Sequence, residues 1–276
     1  MFLNGKCALI TGGSRGIGRA TALKLAANGV KVAVQYYKND EAAKDTLSQV
    51  QQLGADGFIV QADVLEPQDI NRMFSQVKDK FGNLDIFVNG ARPDVSTFYH
   101  SPLKMTLDHW RAAMDSQAQA FLLGTQQAAS IMRDGGRIIA ITYSPSGRTG
   151  SWQPWVAMGT AKAALESLCR YFAVALGSRG ITVNGISPGV VFGEPNSLEG
   201  GVLRSLPAVA QEATQNWHES GWTPMRRVGT PEDVANAVLL LCMKEASFIT
   251  GQIIHVDGGA SIMDSMCPLE IQQGQD

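Results

Sequence analysis

The chain has 276 residues, of which 45% are hydrophobic and 17% charged, and its formal net charge is −2. A chain of this size and apolar content buries about 75% of its unfolded surface, which excludes intrinsic disorder. A nearly neutral chain with no basic cluster also lacks the electrostatic footprint of a nucleic-acid binder.

Taken in order, the short apolar run 6–11 predicts a strand, and 16–28 a helix stopped by Gly29. Residues 31–36 predict a second strand and 40–53 a second helix. A third strand over 57–61 leads to a helix that Pro67 opens and that runs to about residue 80. A strand over 84–88 precedes a long helix over 107–132. Strand 137–142, helix 155–178, strand 182–187, helix 231–243 and strand 252–256 follow. Strands apolar along their whole length are buried on both faces. Seven of them alternating with six helices predict an α/β fold, a Rossmann-type doubly wound seven-stranded parallel sheet, in a single domain over 1–276. Residues 191–223 break the rhythm and carry Pro195, Pro207, Trp217 and Trp222. A segment that long inside a compact domain is expected to cover the substrate site.

The opening residues 1–13 hold no long apolar core, so no secretory leader is expected. The longest apolar stretch, 237–243, falls far short of the ~20 residues that span a bilayer. Cys7, Cys169, Cys242 and Cys267 form no C-x-x-C pair and lack metal-ligand spacing to histidine. Reduced thiols in a cytoplasmic protein, without a metal site, are the expectation.

Thr11-Gly12-Gly13-Ser14-Arg15-Gly16-Ile17-Gly18 lies between the first strand and the first helix. Glycines there let the backbone approach a pyrophosphate, which the helix N-terminus stabilises. An NAD site places an acid at the end of the second strand, on the ribose 2′-hydroxyl. Here that place reads Gln35-Tyr36-Tyr37-Lys38, with no acid before Asp40. Arg15 and Lys38 converging without a carboxylate suit a 2′-phosphate, so NADPH is the expected cofactor.

Together these residues resemble the short-chain dehydrogenase/reductase family over nearly the whole chain. The resemblance adds Ala62-Asp63-Val64, Val88-Asn89-Gly90-Ala91, Ala161-Lys162-Ala163, 183–189 and Val256-Asp257-Gly258-Gly259 to the glycine turn. It implies that Asp63 and Val64 flank the adenine and that Asn89, Gly90 and Ala91 line the cofactor near its ribose. It places Pro188, Gly189, Val190 and Val191 by the nicotinamide. It also implies a homotetramer or homodimer, in keeping with the low charge content.

The family's usual catalytic set is Asn, Ser, Tyr and Lys, with the Tyr four residues before the Lys. Lys162 matches, but Met158 stands at the tyrosine position, and a thioether cannot donate a proton. The serine position falls near Tyr143 and the asparagine position on Gln117. The family's Asn-Asn-Ala-Gly reads Asn89-Gly90-Ala91-Arg92, and Gly193 replaces the Thr that often follows Pro-Gly. Enoyl reductases of the family place a tyrosine seven residues before the lysine, which here is Trp155. That position matches in frame but not in residue type; the segments 154–162, 170–173 and 115–120 make the chain most similar to the enoyl-acyl-carrier-protein reductase branch.

The expected function is an NADPH-dependent oxidoreductase that reduces an activated C=C bond of an enoyl thioester, enal or enone. Such a reaction needs an oxyanion stabiliser more than a precisely placed proton donor. Tyr143, Lys162, Gln117 and Trp155 are the candidate catalytic residues. A mainly apolar small molecule, free or thioester-carried, is the expected partner, because Trp152, Trp155, Met158, Trp217 and Trp222 are candidate pocket residues. Tyr99, His100 and Arg148 are candidates to face it as well. Two alternatives stay open: an NADPH-dependent carbonyl reductase, and a non-catalytic NADPH-binding protein.

Overall fold

The computed structural model describes residues 3–143, 153–193, 207–264 and 267–272. Seven strands form one sheet: β1 (Cys7–Thr11), β2 (Lys31–Tyr36), β3 (Gly57–Gln61), β4 (Leu84–Asn89), β5 (Met132–Ile141), β6 (Thr182–Pro188) and β7 (Ile253–Val256). Their order is β3-β2-β1-β4-β5-β6-β7, and every neighbouring pair is parallel. The chain winds outward from β1 to β3, then returns to β4 on the other side of β1. Ligands bind at such a reversal, beyond the carboxyl ends of the strands.

The main helices are α1 (Gly16–Ala26), α2 (Asp40–Gln52), α3 (Pro67–Phe81), α4 (Val95–Phe98), α5 (Leu107–Met114), α6 (Ala120–Ile131), α7 (Val156–Leu176), α8 (Ala208–Trp217), α9 (Pro231–Cys242) and α10 (Leu269–Gln272). Successive strand residues point to opposite faces. Leu9 of β1 thus joins a core with Phe74 of α3, Phe121 of α6 and Leu165 of α7. Ala8 and Ile10 join the opposite core with Leu25 of α1, Val50 of α2 and Val238 of α9. This double cover explains why the strands read as continuous apolar runs.

Three features depart from the sequence-based elements. The long helix is interrupted by a π-helical turn over Asp115–Gln119, between α5 and α6. β5 begins at Met132 rather than residue 137, because Leu84 pairs with Met132 while Ile86 pairs with Arg137. A left-handed glycine, Gly135 at φ 81°, accommodates the skipped residues. Within 191–223, residues 207–223 form α8 and a π-turn over His218–Trp222, and residues 194–206 lie outside the described residues. Among the described residues no helix is long and apolar enough to cross a membrane.

Candidate active site

The glycine turn is held from three sides. Thr11 Oγ1 accepts hydrogen bonds from the backbone N–H of Gly90 (3.0 Å) and Ala91 (3.3 Å), which ties the end of β1 to the end of β4. Gln35 Oε1 accepts from Gly12 N at 2.7 Å, and its Nε2 donates to Ala62 O at 2.7 Å. Gln35 therefore braces the turn against the ends of β2 and β3, a role that composition did not suggest. A Cβ on Gly18 would lie 2.1 Å from Gly12 O, so the turn and α1 touch backbone to backbone. Gly18→Ala should destabilise the protein by roughly 2 kcal/mol, because only backbone can yield. It should also abolish dinucleotide binding, as read by thermal melting and titration.

A cavity of about 1570 Å³ runs over the carboxyl ends of the strands. Its walls include Gly12, Ser14, Arg15, Gly16, Ile17, Gly18, Tyr36, Tyr37, Lys38, Asp63, Val64, Gly90 and Ala91. Lys162, Pro188, Gly189, Val190 and Val191 complete the predicted set at the other end, with Tyr143, Trp155 and Met158 beside them. Asn89 and Gln117, two of the predicted residues, are not in the walls. Both are buried, and Asn89 Nδ2 and Gln117 Oε1 have no hydrogen-bond partner among the described residues. The π-turn accounts for Gln117: it turns the side chain inward, where Nε2 donates to Ala91 O at 3.2 Å, and brings Ser116 to the cleft instead.

At the β2 end the acids lining the cleft are Asp40 and the exposed Glu41, and Asp40 is already engaged. Asp40 opens α2, accepts from Tyr36 Oη at 2.9 Å and pairs with Lys44 at 2.6 Å. The Lys44 ammonium, then the Tyr36 hydroxyl, hold its carboxyl below the usual range. Lys38 Nζ lies 4.7 Å from the centre of the Tyr37 ring. Arg15 and Lys38 form no ion pair among the described residues.

At the other end Lys162 is buried, and its Nζ donates to Ile141 O at 2.6 Å. Burial drives its pKa down to about 7, and Arg92 adds to the drop while Glu166, one turn further along α7, opposes it. Glu166 also accepts from Thr142 Oγ1 at 2.6 Å. Lys162 and Glu166 thus grip the end of β5, the strand that delivers Tyr143. The Tyr143 ring is half-buried against Trp155, with centroids 5.1 Å apart. Burial raises its pKa, so the phenol stays protonated at neutral pH. Phe98 packs edge-on to Trp155 at 4.9 Å, and Met158 belongs to the same small apolar cluster. Met158 and Lys162 are four residues apart on α7 and so share one face.

A family model described as enoyl-(acyl carrier protein) reductase matches residues 12–261. A 1-cyclohexenylcarbonyl-CoA reductase of Streptomyces collinus is 35% identical over 266 residues, covering 92% of this chain and 86% of that protein. A 3-oxoacyl-[acyl-carrier-protein] reductase of Synechocystis is 34% identical over 264 residues, covering 93% and 97%. The chain belongs to the short-chain dehydrogenase/reductase family. It is an oxidoreductase of the nicotinamide-dependent kind. Its fold superimposes on the angucycline C-6 ketoreductase LanV with bound NADP, with a TM-score of 0.82 and 33% identity over 95% of this chain and 97% of that one. A Burkholderia cenocepacia short-chain dehydrogenase in complex with NADP gives 0.81 and 32% over 94% and 98%.

Several expected substrate-side residues of this short-chain reductase sit elsewhere. Trp217 and Trp222 do not line the described cleft; they stack on each other at 5.6 Å, and Trp217 is half exposed. Trp152 and Arg148 lie outside the described residues. Tyr99 packs on Trp155 at 6.4 Å and His100 stacks on His109 at 3.9 Å, and neither is among the cleft walls. Arg92 does line the cleft, a position the family pattern marks only by the loss of a glycine.

Proposed function

We propose that this enzyme is an NADPH-dependent reductase of an activated C=C bond, in an enoyl thioester, enal or enone. The observation that carries the reading is the pairing of Met158 with Tyr143. The cleft wall one turn before Lys162 holds a thioether, and Tyr143 is the phenol among the described walls at that end. One hydrogen-bond donor at the carbonyl oxygen suffices for an oxyanion formed by conjugate reduction.

The cleft fits the cofactor. Its glycine turn leaves no room for a Cβ at Gly18, and Arg15 and Lys38 stand ready for a 2′-phosphate, with Asp40 held by Tyr36 and Lys44. Asp63 and Val64 would take the adenine side, and Lys162 with Pro188 to Val191 the nicotinamide side. When bound, the reduced dinucleotide would supply a hydride to the β-carbon of the substrate, and the α-carbon would take its proton from water or a nearby hydroxyl. Tyr143 donates a hydrogen bond to the substrate carbonyl oxygen as it gains charge, and Lys162 orients the ribose and adds positive field. Trp155 and Met158 pack the apolar part of the substrate and exclude water. The relative named for cyclohexenylcarbonyl-CoA reduction supports this choice. The 3-oxoacyl reductase and LanV favour the second reading, carbonyl reduction with Tyr143 as a displaced acid. Exposed Tyr171, Val174, Phe248 and Ile262 support a homotetramer or homodimer, which light scattering tests.

Two panels decide the reaction, with NADPH oxidation as the readout. One holds trans-2-enoyl thioesters, enals and enones; the other holds 3-oxoacyl thioesters, ketones and aldehydes. Turnover confined to the first panel is expected. Turnover confined to the second overturns the reading in favour of carbonyl reduction, and NADPH binding with silence in both favours the non-catalytic alternative.

A further inference from the structure

We propose that Arg92 clamps the dinucleotide pyrophosphate from the β4 side, opposite the N-terminus of α1. The inference rests on the reading of the cleft as a dinucleotide site and assigns it a contact that the family's glycine cannot make.

Placement comes first. The N–H groups of Gly90 and Ala91 are pinned to Thr11 Oγ1, and a Cβ on Gly12 would lie 2.9 Å from Ala91 Cα. The backbone just before Arg92 therefore touches the turn that cradles phosphates. Arg92 lines the same cavity as Arg15, Gly16 and Lys162. Strand order sets its station: β4 lies between β1, which carries the turn, and β5, which carries Tyr143.

Charge comes second. Among the described residues Arg92 has no carboxylate within ion-pair distance, and its Nη1 donates to Pro93 O at 3.0 Å. The nearest acid along the chain, Asp94, is occupied by the N–H and hydroxyl of Ser96, at 3.0 and 2.7 Å. Arg92 is exposed along the cleft; the desolvation it does meet, then the neighbouring Arg15, disfavours its charge, and Asp94 favours it. Arg92 and Arg15 face one cavity, and the acid that feels both of them, Asp94, is held by Ser96, which leaves the two cations complementary to a phosphate anion. A guanidinium fork also matches phosphate oxygens two at a time.

The test is direct binding to Arg92→Gly and Arg92→Lys, followed by calorimetry or nicotinamide fluorescence. The probes are NADPH, 2′-phospho-ADP-ribose and 2′-AMP, which keeps the adenine and 2′-phosphate but has no pyrophosphate. Arg92→Gly should weaken NADPH and 2′-phospho-ADP-ribose by about 10- to 100-fold and change 2′-AMP by less than about twofold. Arg92→Lys should fall between, because a point charge replaces a fork. Equal losses for 2′-AMP, or unchanged NADPH binding in Arg92→Gly, overturn the assignment. Unchanged NADPH binding with a raised KM for anionic substrates alone moves Arg92 to substrate recognition. A wild-type protein that binds no dinucleotide overturns the cofactor reading as well, so the two failures are distinct.

Discussion

Tyr143→Phe should slow reduction of a conjugated C=C substrate by about 10²- to 10³-fold while changing NADPH affinity by less than about twofold. The substitution removes one hydroxyl and keeps the ring, so the packing against Trp155 survives. The loss appears in kcat because the oxygen carries most of its charge in the transition state. Burial already holds the phenol protonated, so the wild-type rate should show no loss of this donor across neutral pH. A wild-type rate in Tyr143→Phe on every accepted substrate would remove Tyr143 from the mechanism. Steady-state kinetics on the preferred substrate, alongside a dinucleotide titration, reads both effects.

Lys162→Met should abolish turnover, by at least about 10²-fold, yet raise the stability of the dinucleotide-free protein near neutral pH. The physical reason is the cost of a buried ammonium. Its pKa falls from 10.5 to about 7, which corresponds to roughly 4 kcal/mol against the charged form at pH 7. Losing the bond to Ile141 O offsets roughly 2 kcal/mol of that relief. The net gain is on the order of 2 kcal/mol, a few degrees in Tm. The sign with pH follows from proton counts. Between about pH 7 and 10.5 the unfolded lysine holds a proton that the folded one lacks. Wild-type stability should therefore rise with pH across that window, and the slope should flatten in Lys162→Met. Melting curves from pH 6 to 10 on both proteins check this, and parallel slopes would remove Lys162 as their cause.

The chain's own order of residues determined the architecture. Each strand lies between two helical layers, so its residues are apolar on both faces, and that signal is local. The glycine turn is equally legible, because its glycines lie close together in the chain and Gly18 meets the Gly12 backbone six residues back. The absence of a proton donor at Met158 is also plain from its spacing to Lys162. Tertiary contacts decided the rest. The π-turn over Asp115–Gln119 rotates Gln117 into the interior and Ser116 to the cleft. No helical periodicity contains that shift. Trp217 and Trp222 satisfy each other in a stack rather than lining the pocket. Arg92 reaches the cleft only because Thr11, far back in the chain, pins the end of β4 against the glycine turn. The depressed pKa of Lys162 likewise comes from burial beneath β5. Desolvation and long-range hydrogen bonds depend on which segments meet, and sequence patterns of period two or 3.6 carry no record of those meetings.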